Sequence, residues 1–275
     1  MNLRSHLWSE LTRDEIAAAA AAGALAVIPM GSTEQHGEHL PTGTDSILTE
    51  RVALMAAKVS AHPVVITPTV SMAFSPHHGA WPGTITLSAA TMNALLADIT
   101  ASVARAGFRR QLLVNGHGGN RGIMTVATSE FTCAGREVGW VEYFGPARAE
   151  MNAILKGPAK GVTHAAEAET ALILALMQDS PELAAHYRDR AAGLPARRKS
   201  TFRSAGEGGR SVIAEAGGWW PSIYGAGDPG YNGEPALATA ETGADMLAVI
   251  VPKLAAFYAD FAAAELVSGG MPPID

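Results

Sequence analysis

Residues 31–46, GSTEQHGEHLPTGTDS, carry Glu34, His36, Glu38, His39 and Asp45 within one polar run that follows directly on the apolar segment ALAVIPM. Glu34, His36 and Asp45 are all competent ligands for a divalent transition metal. Nitrogen and oxygen donors together favour Zn²⁺, Mn²⁺ or Fe²⁺ over Ca²⁺ or Mg²⁺. The Glu-x-His spacing suits two neighbouring ions better than one. The turn-forming Gly37 and Pro41-Thr42-Gly43 then allow Asp45 to fold back and bridge them, since each carboxylate oxygen can hold one ion. The competing reading of the segment is a hydrogen-bonded polar loop that caps the following helix through Asp45 or Ser46.

Three further stretches carry chemistry. NGHGGN, residues 115–120, sets His117 among glycines, which let a backbone approach a ligand closely. It lacks the Lys-Ser/Thr of a phosphate loop and the spacing of a dinucleotide site. His117 therefore reads as a metal ligand, or else the run is a surface turn. HAAEAET, residues 164–170, starts a helical pattern; a helix beginning at His164 would put His164 and Glu167 on one face and turn Glu169 elsewhere. Glu167 is then either a ligand or a carboxylate favoured by the helix dipole. SPHHGAWPGTITLS, residues 75–88, offers His77 and His78, which either line a pocket or pack beneath the Trp81-Pro82-Gly83 turn.

The elements that must position these groups alternate. Strand patterns fall at 24–30, 63–70, 111–117 and 136–144. Helical patterns lie between them, one through Leu48, Val52, Met55 and Val59, another from the N-cap Ser88 to Gly107, a third over 120–134. A fourth helix covers 164–178, and a last one starts at Pro235, reaches about Leu266 and is kinked at Pro252. Such alternation implies a mostly parallel sheet covered by helices on both faces, with ligands beyond the carboxyl ends of its strands. GSTEQHGEH and NGHGGN both follow apolar strand runs, so they are expected to meet at one rim. Residues 180–234 are irregular and rich in Gly, Pro and aromatics, as befits a lid or a subunit contact.

Bulk composition narrows the function. The chain has 275 residues, 48% hydrophobic and 17% charged, and a formal net charge of −6. That balance suits a compact enzyme of a small molecule and argues against nucleic-acid binding, which needs clustered Lys and Arg. The basic stretch at 196–203 reads as a solvated loop. A single cysteine, Cys133, excludes an internal disulfide and a Cys₄ or Cys₂His₂ zinc site. It is expected as a small buried side chain. The alanine-rich stretch at 16–29 is too short to span a bilayer and lacks a basic leader. A cytoplasmic protein with no membrane association is the expectation.

Taken in order, GSTEQHGEHLPTGTDS, FSPHHGAWPGTITLS, NGHGGN and HAAEAET resemble the creatininase (creatinine amidohydrolase) family over residues 24–178, with a fainter echo at 227–243. The resemblance implies a three-layer α/β/α fold occupying residues 1–275 as one domain, a two-metal site at the sheet rim, and a homo-oligomer, a hexamer. It implies that Glu34 and His117 hold one divalent ion, that His36 holds the other, and that Asp45 bridges them. Family members with a Glu two residues after the NGH histidine differ here, where Gly119 stands; the helix carboxylate Glu167 is expected to replace it. His164 is the candidate acid toward the leaving group, and Ser75 and His78 the candidate substrate contacts. The family's Trp-Asp-Gly lid corresponds to Lys160-Gly161-Val162, with Trp219, Trp220 and Tyr231 as alternative lid or interface residues.

The implied activity is metal-dependent hydrolysis of a non-peptide C–N bond in a small cyclic amide or formamide by a hydroxide shared between two ions. Creatinine itself is not expected as a good substrate. Alternatives are hydrolysis of a cyclic ketone or lactone, a peptidase-like activity, and a metal-binding homologue without catalysis.

Overall fold

Every residue of LAVIPM is buried, and the segment forms the inner strand of a sheet. The computed structural model describes residues 3–197 and 228–265. Strands β1 (Leu25–Met30), β2 (Val64–Ile66), β3 (Arg110–Asn115) and β4 (Glu137–Glu142) pair in parallel, in the order β2-β1-β3-β4. The period of two divides their side chains between two cores. Leu25, Val27, Leu112 and Val114 pack with helices α2 (Thr44–Val59), α6 (Glu167–Leu176) and α8 (Ala240–Ala263). Ala26, Ile28, Met30 and Leu113 pack on the opposite face with α1 (Arg13–Ala21), α3 (Ala89–Arg105) and α4 (Arg121–Cys133). The result is the expected three-layer α/β/α arrangement with a parallel sheet.

The connections place the polar motifs. α2, α3 and α4 each cross from one parallel strand to the next. β1 and β3 are neighbours in register, Met30 opposite Asn115, and Gly116 N–H donates to the Met30 carbonyl at 2.9 Å. The loops that leave these two strands therefore start side by side at their carboxyl ends, where an open α/β sheet binds ligands. Ser88 caps α3 by accepting from Thr91 N–H, and Gly107, at φ +98°, turns the chain out of it into β3.

Several boundaries differ from the sequence expectation. β2 is only three residues long: Thr67 N–H still donates to the Val27 carbonyl, but the next bond to β1, onto the Pro29 carbonyl, comes from Val70, out of the alternating register. Pro235 opens a short 3₁₀ turn, Pro235–Leu237, and α8 starts later, at Ala240, where the Thr239 hydroxyl accepts from Thr242 N–H. Pro252 lies inside α8, which runs on to Ala263. Helix α7 (Pro181–Ala191) lies inside the stretch expected to be irregular, and α5 (Arg148–Ile154) lies between the fourth strand and the following helix, where no element was expected. Cys133, at the end of α4, is half-buried rather than buried. α8 is long and apolar enough to cross a membrane, at a mean hydropathy of 1.6, yet Met246, Ile250, Leu254 and Tyr258 are fully enclosed in the core beside α2 and α6.

Candidate metal centre and active site

The loop after β1 supplies Glu34 and His36, the first turn of α2 supplies Asp45, and the loop after β3 supplies His117. The structure brings all four together. Asp45 lies between the two histidines: its Oδ1 is 3.1 Å from His36 Nε2 and its Oδ2 is 3.0 Å from His117 Nδ1. Glu34 Oε2 is 3.1 Å from the same His117 nitrogen. Gly37, at φ +64°, supplies the turn that follows His36.

Backbone carbonyls fix the two imidazoles. His36 Nδ1 lies 3.1 Å from the Glu34 carbonyl oxygen, and His117 Nε2 lies 3.1 Å from the Phe74 carbonyl oxygen. A carbonyl only accepts, so each of these nitrogens carries the proton. The other nitrogen of each ring then turns its lone pair toward carboxylate oxygens. That arrangement is repulsive unless a proton or a cation stands between them. Asp45 Oδ2 is buried and has no hydrogen bond of proper geometry, although His117 Nδ1 is so close. Nitrogen and oxygen donors, tautomers set by carbonyl acceptors, and a buried oxygen left unpaired together fit divalent metal ions.

The third carboxylate of the cluster is Glu169, not Glu167. Glu169 Oε2 stands 3.7 Å from His36 Nε2. Glu167 instead accepts from the backbone N–H groups of Lys156, at 2.9 Å, and Gly157, at 2.7 Å. The expectation of a Glu167 metal ligand failed because the helix does not begin at His164. α6 begins at Glu167 itself, and Ala165 before it has φ +51°, a left-handed conformation costly for a residue with a side chain. Glu169 holds that turn by accepting from Ala165 N–H at 2.6 Å, and His39 Nε2 bonds the Ala165 carbonyl at 3.1 Å. Nothing local in HAAEAET marks Ala165 as a left-handed turn, so the spacing rule chose the wrong carboxylate. A side chain at Gly119 is also impossible: a Cβ there would lie 2.4 Å from His117 Nε2 and 2.4 Å from the Phe74 carbonyl oxygen.

The remaining predicted residues surround Glu34. Ser75, fully buried, donates to Glu34 Oε2 at 2.5 Å, and Ser32 donates to the same oxygen at 3.1 Å. His78 Nε2 and His164 Nδ1 each lie 3.3 Å from Glu34 Oε1. Ser75 and His78 thus brace a carboxylate. His164 is the more exposed of the two imidazoles, with 14% of its side chain accessible against 2% for His78. His77 stacks on His117 with ring centres 5.6 Å apart. Lys160 donates to the Leu155 carbonyl within its own loop. Tyr231 is buried and donates to the Pro195 carbonyl, while Trp219 and Trp220 lie outside the described residues. Of the basic stretch, Arg197 pairs with Asp228 at 3.0 Å, and 198–203 lie outside the described residues.

Electrostatics follow from burial and proximity. Burial pulls His36 down, but Asp45, then Glu169 and Glu34, push it up to about 10. His117 is likewise driven well above its ordinary value, against burial, by Glu34 and Asp45. Burial, reinforced by Asp45 and Glu34, pushes Glu169 up to about 8. Glu34 is held well below the carboxylate range, burial being outweighed by His117 and His164. Glu34 and Asp45 thus demand positive charge, which protons on His36 and His117 supply, while Glu169 keeps its own proton, unless cations replace these protons.

Comparison with known proteins agrees with this geometry. The family described as creatinine amidohydrolase matches residues 9–258. The mycofactocin precursor peptide peptidase of Mycobacterium tuberculosis is 30% identical over 233 residues, 82% of this chain and 80% of that protein. The 3-dehydro-scyllo-inosose hydrolase of Thermotoga maritima is 36% identical over 95 residues, 34% of this chain and 30% of that protein. A creatininase variant solved in a Zn–Zn form superposes with a TM-score of 0.72 at 26% identity, covering 94% of this chain and 99% of that one. The chain belongs to the creatininase family.

Proposed function

We propose that this protein is a two-metal hydrolase of an amide C–N bond. The observation that carries the reading is Asp45, whose two oxygens face the nitrogens of two different histidines that no carbonyl engages. Glu34 and His117 would hold one ion, His36 and Glu169 the other, with Asp45 shared. Glu169 takes the part that the sequence assigned to Glu167, and it does so because position 119 has no room for a carboxylate. Bound divalent ions supply an activated water and polarise the scissile carbonyl.

The protein's own groups do the rest. Ser32 and Ser75 donate hydrogen bonds to one oxygen of Glu34, and His78 and His164 each approach the other to 3.3 Å, which fixes that carboxylate in direction. His164, the more exposed imidazole of the pair on Glu34, is our candidate donor to the leaving nitrogen. Hydrolysis puts the hydroxyl of water on the carbonyl carbon and its other proton on that nitrogen, so a donor there lowers the barrier.

Two substrate classes fit. A small cyclic amide or formamide needs little more than the metal rim. A peptide amide is favoured by one specific finding, the relative that aligns over 82% of this chain being named a peptidase. Creatinine is disfavoured, because Lys160-Gly161-Val162 offer neither an aromatic wall nor a carboxylate to orient a flat heterocycle. Stripping the protein of metal, reloading it with Zn²⁺ or Mn²⁺ and assaying N-formyl amides, cyclic amides, short peptides and creatinine tests the reading. Turnover of an amide that vanishes on chelation and returns on reloading is the expected result. Metal-independent turnover, or none on any amide, would overturn it.

A further inference from the structure

Four imidazoles, from His36, His78, His117 and His164, crowd around Glu34 and Asp45, with His77 stacked on His117; three trios that include Glu34 bring their donor atoms within 4.8 Å, Glu34-His36-Asp45, Glu34-His77-His117 and Glu34-His78-His164, and so does a fourth, His36-His164-Glu169. Geometry by type does not say which imidazoles bind metal. The side chain of Gln35, only 5% exposed, does. Its Oε1 accepts from Gly37 N–H at 2.9 Å. A backbone N–H can only donate, so the atom facing Gly37 is the amide oxygen and the opposite atom is the NH₂ group. That NH₂ group lies 2.8 Å from His78 Nδ1 and 3.0 Å from His164 Nε2. It has two protons to give, and both imidazole nitrogens must be bare to take them.

We infer that Gln35 is a positioning residue that fixes the tautomers of His78 and His164, and so makes them N–H donors toward Glu34 rather than metal ligands. With Nδ1 of His78 and Nε2 of His164 accepting from Gln35, the ring protons sit on His78 Nε2 and His164 Nδ1. These are the two atoms 3.3 Å from Glu34 Oε1. His36 and His117, anchored by carbonyls instead, present lone pairs. One amide and two carbonyls thereby divide four like side chains into two ligands and two donors. His164 consequently carries its one ring proton on Nδ1, the atom that faces Glu34. The amide is itself held from outside: Gly230, at φ +73°, has no room for a side chain, since a Cβ would lie 2.0 Å from Gln35 Oε1.

This inference rests on the hydrolase reading for its catalytic consequence only. Gln35→Glu keeps the shape and the bond from Gly37 but replaces two donated protons by an acceptor. The test is long-range ¹H–¹⁵N correlation on the zinc-loaded, ¹⁵N-histidine-labelled full chain, with His78→Gln and His164→Gln to assign signals. In the wild type, His78 Nδ1 and His164 Nε2 should be bare. In Gln35→Glu both should become protonated, and kcat should fall about 10- to 100-fold with KM and zinc content unchanged. Gly230→Ala reaches the same amide from the loop side and should lower kcat in the same way. A wild-type His164 protonated at Nε2, or an unchanged nitrogen pattern in Gln35→Glu, would overturn the assignment. The spectra need no substrate, so they stand or fall separately from the activity assays.

Discussion

Two regions of this molecule bury carboxylates, and they neutralise them differently. On β4, Glu137 pairs with Arg109 and Arg110, and Glu142 with Arg121 and Arg148. At the carboxyl ends of β1 and β3, Glu34, Asp45 and Glu169 meet only imidazoles, hydroxyls and backbone N–H groups among the described residues. An arginine keeps its proton at any working pH, so the β4 pairs are permanent. An imidazole can release its proton and offer a lone pair in its place. The same sheet therefore carries fixed ion pairs on its edge strand and exchangeable positive charge at its rim. α6 compresses that contrast into a single turn: Glu167 is satisfied by two backbone amides, while Glu169, two residues on, faces His36.

Breaking the exchangeable region should cost the most. Asp45→Asn removes one of the two oxygens that face different histidines. Turnover should fall at least about 10³-fold, and zinc measured by emission spectroscopy should fall with it. Retention of both ions would contradict a bridging role. Next comes the comparison within α6. Glu169→Gln should weaken zinc binding about 10- to 100-fold. Glu167→Gln should keep the zinc and instead lose about 1–3 kcal/mol of stability in urea denaturation, because a charged acceptor is lost from two backbone donors. The reverse pattern would restore Glu167 as the ligand.

A pH experiment sharpens the same contrast. In the metal-free protein, His36 is raised from 6.5 to about 10, so its contribution to stability is complete below 6.5 and is lost as pH rises through 10. Glu169 is raised from 4.5 to about 8, and its contribution likewise disappears as pH rises through that value. The metal-free protein should therefore melt at a lower temperature at pH 9.5 than at pH 7. Zinc replaces the protons, so its affinity should increase with pH and its binding should release protons, measured by calorimetry in two buffers. A metal-free melting temperature that rises from pH 7 to 9.5 would contradict the reading. The fixed pairs should respond least. Arg148, half-exposed, contributes at most about 1 kcal/mol through Glu142, so Arg148→Ala should shift stability slightly and leave turnover alone.

What was legible in the sequence was what is local. Strands β1 and β3 announce themselves as apolar runs, and the polar residues that follow each run must meet at the rim of a parallel sheet. Glu34, His36, Asp45 and His117 were identifiable for that reason. Glu169 was not, because its place depends on the left-handed Ala165, and Ala165 is held by His39 from a distant loop. Gln35 was overlooked because its neighbours carry the obvious chemistry, and its partners His78 and His164 are 43 and 129 residues away. Ser75 and His78 were legible as site residues, but their contact with Glu34 was not, since it spans more than forty residues of chain.

The central claim is that Asp45 is shared between two ions, one held with Glu34 and His117 and the other with His36 and Glu169. Crystals of the zinc-loaded protein, measured on both sides of the zinc absorption edge, test it most directly. The account predicts two anomalous peaks, each about 2.0–2.3 Å from one Asp45 oxygen, with His78 and His164 outside both coordination spheres. A single peak, or a peak enclosed by Glu34, His78 and His164, would contradict it.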